Sequence, residues 1–84
     1  MYYVYVLFSQ TNGDLYIGYT IDLRKRFNQH NTGEVKSTKG YRPWRLVYYE
    51  AYAGKPDAIQ REKQLKMHKA KIDLKIQIKY SLEH

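Results

Sequence analysis

Tyr2-Tyr-Val-Tyr-Val-Leu-Phe8, Ser9-Gln-Thr-Asn-Gly-Asp14 and Leu15-Tyr-Ile-Gly-Tyr-Thr20 open the chain, and their reading decides the fold. The first block is β-branched and aromatic throughout, the composition of a buried strand. The second is turn-forming, and Asn12-Gly13 is the strongest short hairpin signal because both residues tolerate positive φ. The third block then returns antiparallel to the first. With Asn12 and Gly13 as the two loop residues, Thr11 pairs with Asp14 and Tyr5 with Thr20. Tyr5 and Tyr16 then point to the same face of the ribbon without standing directly opposite each other.

Outward from this hairpin, Asp22 can cap a helix over Leu23 to Thr32, with Gly33 as its stop. Leu23 and Phe27, four apart, define the face that packs on the sheet. At ~100° per residue, Arg26 and His30 lie side by side on the flank of that stripe, at the seam between helix and sheet. Residues 33–43 are rich in Gly, Lys and Thr and form a basic loop or a short helical turn. Trp44 to Tyr52 reads as a further strand. Gly54 ends it, and Pro56 in a first helical turn starts a helix that runs to about Lys69. Ala58, Ile59 and Leu65 make the apolar stripe of that helix, and Glu62 falls within it. A carboxylate there is costly to desolvate unless something pairs with it, and Lys66 stands one turn away. Residues 72–78 alternate with period two, compatible with a strand and equally with a short helix.

The chain has 84 residues, 43% hydrophobic and 27% charged, a composition for one globular domain. Residues 1–81 are expected to form it, while Leu82, Glu83 and His84 read as an expression-tag remnant. There is no cysteine, which excludes a disulfide framework, a thiolate zinc site and a cysteine nucleophile. No apolar run approaches the ~18–20 residues of a membrane span, so the expected place is the cytoplasm. Fifteen Lys and Arg against eight Asp and Glu give a net charge of +7, and all fifteen basic residues lie from Arg24 onward. Such a balance points to a polyanion, most simply nucleic acid. The basic residues form no compact run beside an apolar helix face, so a membrane partner is not expected. Lys25, Lys36, Lys39, Arg42 and Arg45 are the candidates for contacts to a phosphate backbone.

Two same-face tyrosines, an Arg/His pair at a helix seam and a carboxylate on an apolar helix face need one explanation. In these features the chain resembles the GIY-YIG nuclease superfamily, in its small stand-alone subgroup related to the N-terminal domain of an excision-repair endonuclease. Tyr3-Val4-Tyr5 stands where the first signature element belongs, with Tyr3 in place of its glycine. Tyr16-Ile17-Gly18 is the second element intact. Arg26 takes the place of the catalytic arginine, and His30 that of the histidine carried by the small members. Arg61-Glu62-Lys63-Gln64-Leu65-Lys66 is similar to the helix that bears the metal-binding glutamate. The resemblance implies a small α/β domain, a three-stranded, mainly antiparallel sheet flanked by helices.

It also implies a metal-dependent endonuclease acting on DNA, in repair or recombination. Phosphodiester hydrolysis needs an activated water, a stabilised phosphorane-like state and help for the leaving oxygen. By the resemblance, Glu62 would hold one Mg²⁺ or Mn²⁺, Arg26 would clamp phosphate oxygens, and Tyr5 would orient water or phosphate. Tyr16 and His30 both qualify as general base. A tyrosine of ordinary pKa near 10 needs a cation or a histidine relay to serve as one. An alternative is a non-catalytic or weakly active nucleic-acid-binding module; a third is a protein-interaction domain whose charge serves solubility. A protein partner or a homodimer would supply targeting to so short a chain.

Overall fold

The hairpin forms, with β1 over Tyr2–Ser9 and β2 over Leu15–Thr20. In the computed structural model, which describes residues 1–83, β3 over Trp44–Tyr52 joins the other edge of β1. The sheet has the order β2-β1-β3 and is antiparallel throughout. β1 is therefore central, which explains why Val4, Tyr5, Val6 and Leu7 are all buried.

The register differs from the simplest reading of Asn12-Gly13. Tyr5 pairs with Gly18 and Leu7 with Tyr16. The hairpin is closed by the Ser9 amide donating to the Asp14 carbonyl at 2.9 Å, so the loop is Gln10 to Gly13. Ser9 dictates this longer loop: its buried Oγ accepts from the amides of Thr11 and Asn12 while donating to the Tyr41 carbonyl. Gly13 supplies the one positive φ in the loop, 79°. The added loop length is two residues, an even number, so side-chain parity survives and Tyr5 and Tyr16 still share a face.

The two faces bury different material. Val4, Val6, Leu15 and Ile17 receive Ala58, Leu65, Leu74 and Ile78 from the C-terminal helices. These are α2 over Lys55–Leu65, α3 over His68–Gln77 and α4 over Lys79–Leu82. On the opposite face Tyr5, Leu7 and Trp44 pack with Tyr16, Leu46 and with Leu23 and Phe27 of α1, over Leu23–Thr32. A bulge between the pairs Val6↔Tyr48 and Leu7↔Leu46 divides β3 between them. Trp44 and Leu46 join the α1 face, while Tyr48, Glu50 and Tyr52 face α2.

α1 has the expected bounds: Asp22 Oδ1 accepts from the Lys25 amide at 3.1 Å, and Gly33 closes the helix at φ 84°. The helix expected to run to Lys69 stops at Leu65, and α3 begins after an extended Met67. Residues 72–77 are helical, and Ile78 is the turn that joins α3 to α4. Leu74 and Ile78, four apart, are buried, while Ile72 and Ile76 stay exposed, a pattern only a helix satisfies. The basic segment 33–43 contains a single 3₁₀ turn at Lys39–Tyr41. Of the expected tag remnant, Leu82 packs against the core and His84 lies outside the described residues. Among the described residues no helix is long and apolar enough to cross a membrane.

Candidate active site

The site grows from one short side chain. A Cβ at Gly18 would lie 2.5 Å from Cζ of Tyr5 and clash with its hydroxyl. Glycine at this position lets the Tyr5 ring lie across β2 from its place on β1. The Tyr5 hydroxyl meets Nε2 of His30 at 2.8 Å, both side chains being buried. His30 is in the last turn of α1, on the flank that the helical phase assigned to it. Its other nitrogen, Nδ1, is 2.7 Å from Oγ1 of Thr38, which is buried in turn and lies 3.3 Å from the Val35 carbonyl. Tyr16 is half-buried, its ring centroid 4.9 Å from that of His30 and 6.2 Å from that of Trp44.

Charge is arranged around these neutral groups. Burial pushes the Tyr5 hydroxyl up to about 12, opposed by the Arg26 guanidinium beside it and reinforced by the nearby Tyr16 hydroxyl and the Glu62 carboxylate. Burial, aided by the positive charge of Arg26, holds His30 down to about 4. Tyr5 and His30 are therefore both uncharged near neutral pH. Arg26 is half-buried, with Nη1 donating to Oε1 of Gln29 at 3.1 Å. It borders an open depression of about 430 Å³, lined also by Tyr19, Thr20, Asp22 and Lys25. Glu62 on α2 stays largely covered and is ion-paired with Lys66 at 3.3 Å, the partner available at one turn.

The structure thus brings Tyr5, Tyr16 and His30 into contact, with Arg26 beside the Tyr5 hydroxyl, while Glu62 on α2 acts on that hydroxyl only through its charge. Of the basic residues, Lys25 lines the depression beside Arg26. Lys36, Lys39 and Arg42 are exposed on the segment after α1, and Arg42 Nε donates to the Lys39 carbonyl at 2.8 Å. Arg45 is not brought to the site. It lies over the Phe8 ring and donates to the carbonyls of Ser81 and Leu82, on the side of α4. Sequence reading missed Thr38: a threonine in a basic loop carries no local mark of a histidine partner. Trp44 anchors that loop, donating from Nε1 to the Thr38 carbonyl at 2.9 Å. Asn31 in turn clamps the Trp44 backbone, accepting at 2.6 Å and donating at 2.9 Å.

Among the described residues no three His, Cys, Asp or Glu side chains cluster as a metal cage. Glu62 alone suits a hard divalent ion that keeps most of its water shell, and it does not suit zinc.

Known proteins share much of this sequence and its fold. A UPF0213 protein of Bacillus pumilus is 46% identical over 66 residues, 77% of this chain and 66% of the relative, just short of two thirds of its length. A UPF0213 protein of Staphylococcus saprophyticus is 38% identical over 76 residues, 89% of this chain and 92% of the relative. The solution NMR structure of a UPF0213 protein from Bacillus halodurans matches with a TM-score of 0.56 and 36% identity, over 88% of this chain and 82% of that one. Residues 1–76 match the family described as the GIY-YIG catalytic domain, which implies a nuclease-type function. The chain belongs to the GIY-YIG catalytic domain family.

Proposed function

We propose that this protein is an endonuclease that hydrolyses DNA phosphodiester bonds with one divalent ion, Mg²⁺ or Mn²⁺, in a repair or recombination setting. The observation that carries the reading is the buried Tyr5–His30 hydrogen bond with the Arg26 guanidinium beside it. Glu62 would hold the ion, which when bound would supply charge for the developing phosphorane and the leaving oxygen. Arg26, planar and always charged, clamps the phosphate oxygens at the depression it borders. Tyr16, half-buried against the His30 ring, positions the attacking water.

His30 does not meet that water itself, because Tyr5 covers Nε2 and Thr38 covers Nδ1. A proton reaches Nε2 only through Tyr5, whose hydroxyl takes one proton as it gives up its own. This exchange never requires a free tyrosinate, which the raised Tyr5 pKa disfavours. Lys25 and the exposed Lys36, Lys39 and Arg42 contact the backbone to either side.

The test is incubation with Mn²⁺ and labelled duplex, flapped, branched and single-stranded DNA. The parent cuts at least one substrate, and Glu62→Ala lowers the rate by about 100-fold or more. Cleavage by both proteins overturns the site. The Glu62–Lys66 ion pair favours a second reading, a nucleic-acid-binding module without cleavage. DNA bound with a steep salt dependence but never cut would establish it.

A further inference from the structure

The hydrogen bonds around His30 have a direction, and Thr38 sets it. Thr38 Oγ1 lies 2.7 Å from His30 Nδ1 and 3.3 Å from the Val35 carbonyl. A hydroxyl carries one proton and a carbonyl can only accept. When that proton goes to Val35, Nδ1 must be the N–H that donates to Thr38. Nε2 is then the bare nitrogen, and Tyr5 donates to it. Arg26, beside the Tyr5 hydroxyl, offers only donors, so it too leaves the Tyr5 proton pointing at His30.

We propose that Thr38 is a positioning residue that holds His30 in the Nδ1–H tautomer and so aims the Tyr5 proton at Nε2. Its catalytic consequence rests on the nuclease reading; the tautomer itself does not. The backbone of Thr38 is pinned independently of its hydroxyl. Its carbonyl accepts from Trp44 Nε1 and from the Tyr41 amide, and its own amide donates to Val35. A change of side chain therefore removes the acceptor without releasing the loop.

The test is ¹⁵N NMR of the histidine rings in the full chain at neutral pH, with His30 assigned by its loss in His30→Gln. The parent shows a protonated Nδ1 and a bare Nε2. Thr38→Val, equal in shape and lacking the hydroxyl, shifts the tautomer ratio towards Nε2–H by about tenfold, and Thr38→Ser restores it. Thr38→Ala carries the same expectation with no added bulk, so poor folding of the valine variant does not shelter the proposal. In the Mn²⁺ cleavage assay Thr38→Val lowers kcat by about tenfold with KM unchanged, and Thr38→Ser recovers it. An Nε2–H parent, or an unchanged ratio in Thr38→Val and Thr38→Ala, overturns the assignment. A shifted ratio with unchanged kcat overturns the positioning role. Should the parent cut no DNA, the nuclease reading fails while the ring signals still decide whether Thr38 sets the tautomer.

Discussion

On the α1 face of the sheet Tyr5, His30 and Thr38 form a chain of neutral groups, whereas on the α2 face Tyr48, Tyr52 and Arg61 converge on the Glu50 carboxylate. Arg61 grips it from Nε at 2.9 Å and from Nη2 at 3.0 Å. Burial raises the Glu50 carboxyl, but hydrogen bonds from Arg61, Tyr48 and Tyr52 outweigh it and hold the group below its usual range. The bond to Glu50, with burial behind it, pushes Tyr52 up to about 12. A carboxylate accepts from every side, so this cluster is strong and has no direction. The α1-face chain has no ion to desolvate, and each hydrogen points one way. The first arrangement suits placing a proton, the second suits docking a helix.

The largest expected effect breaks the clamp. Glu50→Ala leaves Arg61 part-buried and unpaired, and costs about 3 kcal/mol of folding stability. The midpoint of thermal unfolding should fall by about 10 °C or more. If the two faces are independent, the His30 ring signals of the folded variant match the parent. A loss under about 1 kcal/mol would mean that the clamp behaves as an ordinary surface pair.

Acid separates the faces next. In the unfolded chain a histidine takes up its proton near pH 6.5, while folded His30 holds off to about 4. Between those values the unfolded state binds more protons, so stability falls as pH drops through the window. The loss is roughly 2 kcal/mol from pH 7 to pH 5, and His30→Gln removes this slope. Glu50 contributes in the opposite range: its stabilisation is present above the ordinary carboxylate value of 4.5 and is lost only below it. Urea unfolding of parent and His30→Gln at the two pH values checks this, and a parent with equal stability at both would sink it.

The same contrast explains what was legible in the sequence. Asp22 and Gly33 mark the ends of α1 with local chemistry, and the phase of that helix alone sets Arg26 and His30 on the right flank. Tyr5 and Tyr16 share a face because parity survives an even change in loop length. The register itself was hidden in Ser9, whose side chain organises the turn. The end of α2 was hidden too: no Gly or Pro follows Leu65, and the break serves to fold Leu74 and Ile78 back onto the sheet. The bulge in β3 sends Leu46 and Tyr48, of equal parity, to opposite faces, which no alternating pattern reveals. The His30–Thr38 and Glu50–Arg61 pairs join different elements, so neither leaves a mark in local spacing.

The smallest effect sharpens the comparison at the level of single helices. α1 has a side-chain cap at its start and a left-handed glycine at its end. α2 begins at Gly54 with no side-chain cap and is held instead by the clamp and its apolar stripe. Asp22→Ala removes the oxygen that accepts from the Lys25 amide and costs about 1 kcal/mol. The first turn of α1 should then exchange its amide hydrogens faster. His30, a helix length away and tied to Tyr5 and Thr38, should keep its protection. Equal loss of protection at both ends would mean that α1 opens as one unit. The relay would then depend on the cap, and the orientation of the His30 ring would be a property of the whole helix rather than of the two hydroxyls that hold it.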